Sequence, residues 1–301
     1  MFKLKDSCIF AKNKSIIMVP SIDKALRDLM NTSLAELEKA LDCDVFNYFG
    51  PIVDGQENSI LGIIEDLAKT PDKRDCLAVI LTTTGGSAAA VERYVNIIRH
   101  HYDKVTFIVP DYAYSAGTIF CMSGDEIWMD YFSVLGPIDP QVPNKDGKFV
   151  PALGYLDKIN ELIKKAQENK LTQAEFLILK DFDLAELRGY EQAKELTISL
   201  LKKWLVNYKF KNWNIHSDRR AVTPEEKEQR AEEIANKLGD NNEWKTHGRP
   251  IDIETLKSLK LQITDYSDKP EREAIRNYYK ILRDFVARHN FPLFIHTRTF
   301  I

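Results

Sequence analysis

Apolar runs and amphipathic stretches alternate in the first half of the chain. Residues 77–81 and 105–109 are short apolar runs, and each predicts a strand. Residues 87–102 lie between them, with apolar side chains at the spacing of one helix face, at Val91, Tyr94, Val95 and Ile98. This order predicts a strand, a crossover helix and a second strand parallel to the first. Residues 126–129 predict a further strand of the same core.

Helical patterns flank this core on both sides. Residues 21–48 predict one helix, with Ser33 and Glu36 spaced as a capping box, and residues 59–69 predict another. From about residue 153 helical signals dominate, with helix starts at Thr172, Asp183 and Thr223, and residues 272–288 predict a last helix. We therefore expect an N-terminal helical segment (1–45), an α/β core (46–150) and a helical extension (151–301).

Composition restricts the class of protein. The 301 residues are 44% hydrophobic and 29% charged with a net charge of −3, which is typical of a globular protein and gives no general attraction to nucleic acid. Four cysteines stand singly, without metal-ligand spacing, so we expect reduced thiols, no metal and no cofactor. No stretch approaches the ~20 apolar residues of a membrane span, and no signal peptide is recognisable. We expect a cytoplasmic protein.

Two small-residue segments suggest chemistry. Gly85 and Gly86 follow the first predicted strand, and Ser115 with Ala116 follows the second. Because ligands of parallel α/β units bind at the carboxyl ends of the strands, these segments are expected at one edge. Glycine lets backbone N–H groups approach an anion, and a serine between small residues has an accessible hydroxyl. The pair suggests an oxyanion hole and a nucleophile, against a tight turn and a helix N-cap as the alternative.

Residues 77–141 resemble the Clp protease proteolytic subunit superfamily, and the branch of signal peptide peptidase A and the serine dehydrogenase proteinases is closer still. The motifs that resemble this branch are YFGPI (48–52), SGDEIW (123–128), LGPIDPQ (135–141) and THGRPI (246–251). The resemblance implies a Clp protease/crotonase-like spiral of strand-strand-helix units with a largely helical C-terminal extension. It also implies that Ser115 is the nucleophile and that Gly86 and Ala116 donate to the oxyanion.

The general base is where the chain departs from the Clp subunit. That family has a histidine some two dozen residues after the serine, whereas residues 134–139 contain none. The serine dehydrogenase proteinase order of Ser, Asp and His indicates Asp139 with His247, or with His216. The signal peptide peptidase branch uses a lysine after the core, for which Lys158, Lys164 and Lys165 are the candidates.

The leading hypothesis is a serine peptidase that cleaves peptides or unfolded protein through an acyl-enzyme. The resemblance also implies a homo-oligomer, and an adaptor or ATPase partner is compatible with the long helical part. A catalytically silent peptide-binding or assembly scaffold is the alternative, motivated by the missing histidine. A crotonase-type acyl-CoA enzyme would use the same backbone donors, but no nucleotide-binding pattern supports it.

Overall fold

A six-stranded sheet joins the two halves of the chain. The computed structural model describes residues 21–143 and 149–300. The strands are β1 (Asp44–Phe49), β2 (Cys76–Thr82), β3 (Lys104–Val109), β4 (Tyr112–Ala113), β5 (Glu126–Met129), β6 (Val134–Leu135), β7 (Gln141–Pro143), β8 (Phe149–Pro151), β9 (Thr264–Asp265) and β10 (Phe294–His296). The helices are α1 (Ser21–Leu41), α2 (Glu57–Ala68), α3 (Ala88–His101), α4 (Ala116–Cys121), α5 (Ala152–Gln167), α6 (Gln173–Lys180), α7 (Leu184–Trp204), α8 (Pro224–Leu238), α9 (Asn241–Trp244), α10 (Ile253–Ser258) and α11 (Arg272–His289). A π-helical turn, Leu205–Lys209, continues α7.

The large sheet is mostly parallel and is covered on both faces. Its strand order is β10-β1-β2-β3-β5-β9, and only β10 runs antiparallel to its neighbour. Along β2, Leu77, Val79 and Leu81 face the core formed with α2, α3 and α4, whereas Ala78 and Ile80 face the core formed with α1 and α11. Burial on both faces explains why this strand is a continuous apolar run. The α/β class is therefore confirmed.

The first predicted helix is too long. Helix α1 ends at Leu41, Asp42 adopts a left-handed φ of 50°, and the chain then enters β1. The β1 residues were predicted as helix, but their aromatic and β-branched side chains suit a strand that pairs with β2 and β10 on its two sides. Ser33 and Glu36 lie inside α1 rather than at its start, so the expected capping box is wrong.

The helical extension returns to the sheet at its end. The predicted helix starts at Thr172 and Thr223 are confirmed as complete capping boxes, and the Asp183 carboxylate caps α7. From β9 onward, however, the chain rejoins the core, because β9 pairs with β5 and β10 pairs with β1. Two- and three-residue strands have no periodicity, so the sequence could not reveal them.

The expectation of reduced cysteines is wrong for one pair. Cys43 and Cys76 form a disulfide, with their Cα atoms 4.7 Å apart. The register pairs Asp44 with Leu77, so the residues just before them lie side by side although they are 33 positions apart in sequence. Cys121 is free and buried, and Cys8 lies outside the described residues.

Candidate active site

A small ribbon beyond the main sheet positions the candidate residues. After β2, Thr83 forms a parallel bridge with Ala113 of β4. Strand β4 pairs in parallel with β6, and Leu135 of β6 forms an antiparallel bridge with Ile251. The ribbon therefore brings together the segments that follow β2, β4 and β6 with the loop that precedes α10.

Ser115 occupies a strained position directly after β4. Its φ of 53° and ψ of −117° lie outside the regions that non-glycine residues ordinarily adopt. Although it precedes α4, its side chain makes no capping hydrogen bond, so the alternative of a simple N-cap is not what the structure has. The residue is half-buried, and its hydroxyl has no hydrogen-bond partner within the described residues. It is a free hydroxyl at a strand-to-helix turn, the geometry of a nucleophile elbow.

The glycine pair packs directly against Ser115. A Cβ built on Gly85 would lie 2.7 Å from Ser115 Cβ and 3.3 Å from Ala116 N, so no larger residue fits there. Gly86 has a φ of 144°, and a Cβ on it would lie 1.9 Å from Ile52 O. Ile52 forms a parallel bridge with Gly86 and fixes this loop. The pair is thus more than a tight turn, because it packs against both the serine and the residue that follows it.

Two backbone N–H groups are available beside the serine hydroxyl. The bridge between Ile52 and Gly86 is made by two backbone hydrogen bonds, in which Ile52 N–H donates to Gly85 O and Ser87 N–H donates to Ile52 O. The N–H group of Gly86 is therefore not used by the bridge. Ala116 is the first residue of α4, where backbone N–H groups have no intrahelical acceptor. Neither N–H has a partner in the part of the chain that the structure describes. They are free to donate to an anion.

Asp139 and His247 form a hydrogen-bonded pair. His247 Nδ1 lies 2.8 Å from Asp139 Oδ1, and the two side chains are 25% and 2% exposed. An ionised carboxylate only accepts hydrogen bonds, so in the neutral imidazole that makes this contact Nδ1 carries the proton and Nε2 has the free lone pair. Gln141 Nε2 donates to the other Asp139 oxygen at 3.0 Å and holds the carboxylate in place. Gln141 belongs to the 135–141 motif, but no pattern in the sequence indicates this contact with Asp139.

The strand directions lead the segments that carry Ser115, Asp139 and His247 toward one end of the ribbon. Ser115 follows β4 and Asp139 follows β6, and these strands are parallel. Ile251 pairs antiparallel to β6. The chain that runs backward from Ile251 to His247 therefore points the same way as the chain that runs forward from β6 to Asp139. All three residues therefore extend beyond the same end. No hydrogen bond joins His247 to Ser115 among the described residues, and such contacts are often loose before substrate binds.

Three of the other candidate bases, Lys158, Lys165 and His216, are engaged in ion pairs. Lys158 Nζ lies 2.9 Å from Glu161 on the same helix. Lys165 donates to Glu175 at 2.7 Å, and this hydrogen bond raises the pKa of the lysine above its ordinary value. His216 Nε2 lies 3.1 Å from Glu226. A lysine base needs a lowered pKa, so Lys165 has the wrong environment for that role.

Across residues 21–143 and 149–300, no group of three or more His, Cys, Asp or Glu side chains is arranged to hold a metal ion. None of the helices in these ranges has both the length and the apolar character needed to cross a bilayer.

The class of this protein is shown by its sequence match to a protein family. A family model for ClpP-like SDH-type serine proteinases matches residues 47–218, and the chain belongs to this family. The matched region includes Ser115 and Asp139 but ends before His247.

Similar proteins were found both by sequence and by structure. The uncharacterized protein MJ1495 of Methanocaldococcus jannaschii is 28% identical over 216 residues, which cover 72% of this chain and 61% of the relative's length. The uncharacterized protein MJ0137 of the same organism is 26% identical, covering 82% and 78%. Two structures of the 1510-N membrane-bound stomatin-specific protease, one with a substrate peptide, align at 14% and 15% identity with TM-scores of 0.44 and 0.39. They cover 76% and 75% of this chain, and 81% and 75% of their own.

Proposed function

We propose that this protein is a serine peptidase in which Ser115 is the nucleophile, His247 the general base and Asp139 the residue that orients the base. The observation that carries the proposal is the 2.8 Å contact between His247 and the buried Asp139 carboxylate. This contact orients the ring and, in the neutral imidazole, favours the tautomer in which Nε2 can accept a proton. His247 would take the place of the histidine that the Clp order has and this chain lacks, although His247 lies in a loop far along the chain.

Each catalytic step has a group to perform it. His247 Nε2 takes the proton of the Ser115 hydroxyl as its oxygen attacks the substrate carbonyl, and the Asp139 carboxylate stabilises the resulting imidazolium. The N–H groups of Gly86 and Ala116 stabilise the oxyanion of the tetrahedral intermediate. The imidazolium then gives its proton to the leaving amine. Water hydrolyses the acyl-enzyme by the same steps and regenerates Ser115.

Labelling with a fluorophosphonate probe tests the proposal. The probe forms a phosphorus–oxygen bond with an activated serine and releases fluoride. We expect wild type to label, Ser115→Ala not to label, and His247→Ala to label at least about 100-fold more slowly, the usual contribution of a positioned base. His216→Ala is the matched control and is expected to label like wild type, because His216 is paired with Glu226. Unchanged labelling of Ser115→Ala would refute the assignment.

The alternative of a silent scaffold makes the opposite prediction. A scaffold on the same fold would bind peptides, and folded wild type would not react with the probe. Its motivation was the absence of a histidine shortly after Ser115, and the Asp139–His247 pair weakens that motivation. Failure of folded wild-type protein to label would therefore favour the scaffold.

Substrate, assembly and location belong to the same proposal. The substrates are peptides or unfolded protein, and the location is cytoplasmic. We expect a homo-oligomer, with an adaptor or ATPase as a further partner. Helix α6 supports self-association, because none of its residues is buried and its apolar residues Phe176, Leu177 and Ile178 are each more than half exposed. Light scattering of wild type and Leu177→Glu measures this directly, and a monomeric wild type would contradict it.

A further inference from the structure

A large cavity lies next to the chain segment that carries Asp139. It is a half-open cavity with a volume of about 780 Å³, within the usual range of ligand sites, and is lined by α5, α7, α8 and the start of α9. Its apolar wall includes Ile138, Pro140, Leu153 and Leu156. The steps proposed above for Ser115 and His247 do not use this cavity.

The cavity wall continues into the catalytic residues. Ile138 and Pro140 line the cavity and directly flank Asp139 in the chain. Ile138 N also donates to Leu238 O at 3.0 Å, which ties this segment to the end of α8. Asp240 lines the cavity and caps α9, the short helix that leads to the His247 loop. An occupant of the cavity would thus contact both segments that hold the Asp–His pair.

The charges of the wall favour a basic occupant. Five carboxylates and three cationic side chains line the cavity. Two of the cations are already paired, Arg188 with Glu191 at 2.8 Å and Lys202 with Glu232 at 2.9 Å. Asp157 and Asp240, in contrast, have no ion pair in the described ranges and each accepts a hydrogen bond from Asn242. Five carboxylates against three cations, Lys194 included, leave the wall with a net charge of −2, and Asp157 directly follows Leu156 of its apolar part in sequence.

We propose that this cavity is a substrate subsite, which binds a segment of the polypeptide bearing apolar side chains and a lysine or arginine. The apolar side chains pack on Leu153 and Leu156, and the basic group pairs with Asp157 and Asp240. The inference rests on the proposed peptidase function, because it makes the occupant part of the chain delivered to Ser115.

Peptide binding to the Ser115→Ala variant tests the subsite. The probes are two fluorescent peptides with the same apolar residues, one with two lysines and one with two glutamates, measured by fluorescence polarisation at low salt. We expect the basic peptide to bind about tenfold more tightly, the combined effect of two partly exposed ion pairs. Asp157→Asn with Asp240→Asn removes both charges while asparagine still caps α9, and the preference should disappear.

Two further variants separate the cavity from general charge. Ser199→Trp fills the cavity from α7 and is expected to weaken binding of both peptides. Glu254→Gln changes an exposed carboxylate that does not line the cavity, and the preference should be retained. Equal binding of the two peptides, or a preference that survives the double asparagine variant, would overturn the subsite. Since this assay needs no cleavage, preferential binding without fluorophosphonate labelling of wild type would refute the peptidase proposal alone.

Discussion

The substitution Asp139→Asn tests the orientation of the proposed base. Asp139 is 1% exposed, and its two oxygens accept from His247 Nδ1 at 2.8 Å and from Gln141 Nε2 at 3.0 Å. Asparagine has the same shape, but it replaces one of the two acceptor oxygens by an NH₂ group, which only donates hydrogen bonds. If its NH₂ group faces His247, Nδ1 must become the acceptor and the proton moves to Nε2. Nε2, the nitrogen proposed to take the proton of Ser115, then has no free lone pair.

The opposite amide orientation is also unfavourable. With the asparagine oxygen toward His247, its NH₂ group meets the Gln141 NH₂ group, and the Gln141 amide must turn over to avoid two facing donors. Either way the charge that stabilises the imidazolium is lost. A neutral replacement in such a pair lowers the rate by about 10³- to 10⁴-fold, or ~4–5 kcal/mol at 1.36 kcal/mol per tenfold.

The second-order rate constant of fluorophosphonate labelling measures this loss. Asp252→Asn is the matched control, because Asp252 caps α10 and asparagine caps equally well, so its labelling rate should match wild type. Thermal melting of both variants checks that they are folded. If Asp139→Asn labels at the wild-type rate while folded, His247 is not oriented by Asp139 and the proposed triad is wrong.

Three other predictions concern the glycine pair, the lysine candidate Lys165 and the buried His296. Gly85→Ala should abolish labelling, because the new Cβ would lie 2.7 Å from Ser115 Cβ. Gly154→Ala on α5 is the control for the same labelling assay: its Cβ would meet nothing within 4 Å, so labelling should be retained. Lys165→Ala should label at the wild-type rate, since its hydrogen bond to Glu175 raises its pKa; loss of labelling with retained fold would favour a lysine base. Burial lowers the pKa of His296 from 6.5 to about 4, so the unfolded chain binds its proton first as pH falls. Folding stability should therefore decrease by about 3 kcal/mol from pH 6.5 to pH 4, and urea unfolding of His296→Gln should show a smaller decrease.

The sequence predicted the central part of the fold because the information there is local. Residues 87–102 show one apolar face, and α3 occupies Ala88–His101 with Ser87 as its N-cap. The glycine pair and Ser115 each follow a strand, so a rule about strand ends was enough to expect them at one edge. Their direct contact is confirmed by the position of Gly85 against Ser115.

Features made by distant pairing were not predictable in the same way. Strand β1 was taken as helix because its neighbours β2 and β10, which decide its environment, are remote in sequence. The Cys43–Cys76 disulfide depends on the register of β1 and β2 rather than on a cysteine motif. The ion pairs of the base candidates Lys158, Lys165 and His216 were not predictable from sequence, since only three-dimensional contacts show that each faces a glutamate.

The position of the proposed histidine follows from strand pairing rather than from chain order. Strand β6 has Ala113 on one side and Ile251 on the other, so its two neighbours come from opposite directions of the chain. A segment that pairs antiparallel with β6 reaches the end of the ribbon beyond which Ser115 and Asp139 extend through the residues that precede it. His247 lies in such a segment, although it is 108 positions after Asp139 in sequence. By resemblance, a Clp-type histidine would lie within residues 134–139, the stretch that contains β6. The absence of that histidine is therefore compatible with the proposed base, because the same end of the ribbon is accessible from a second segment.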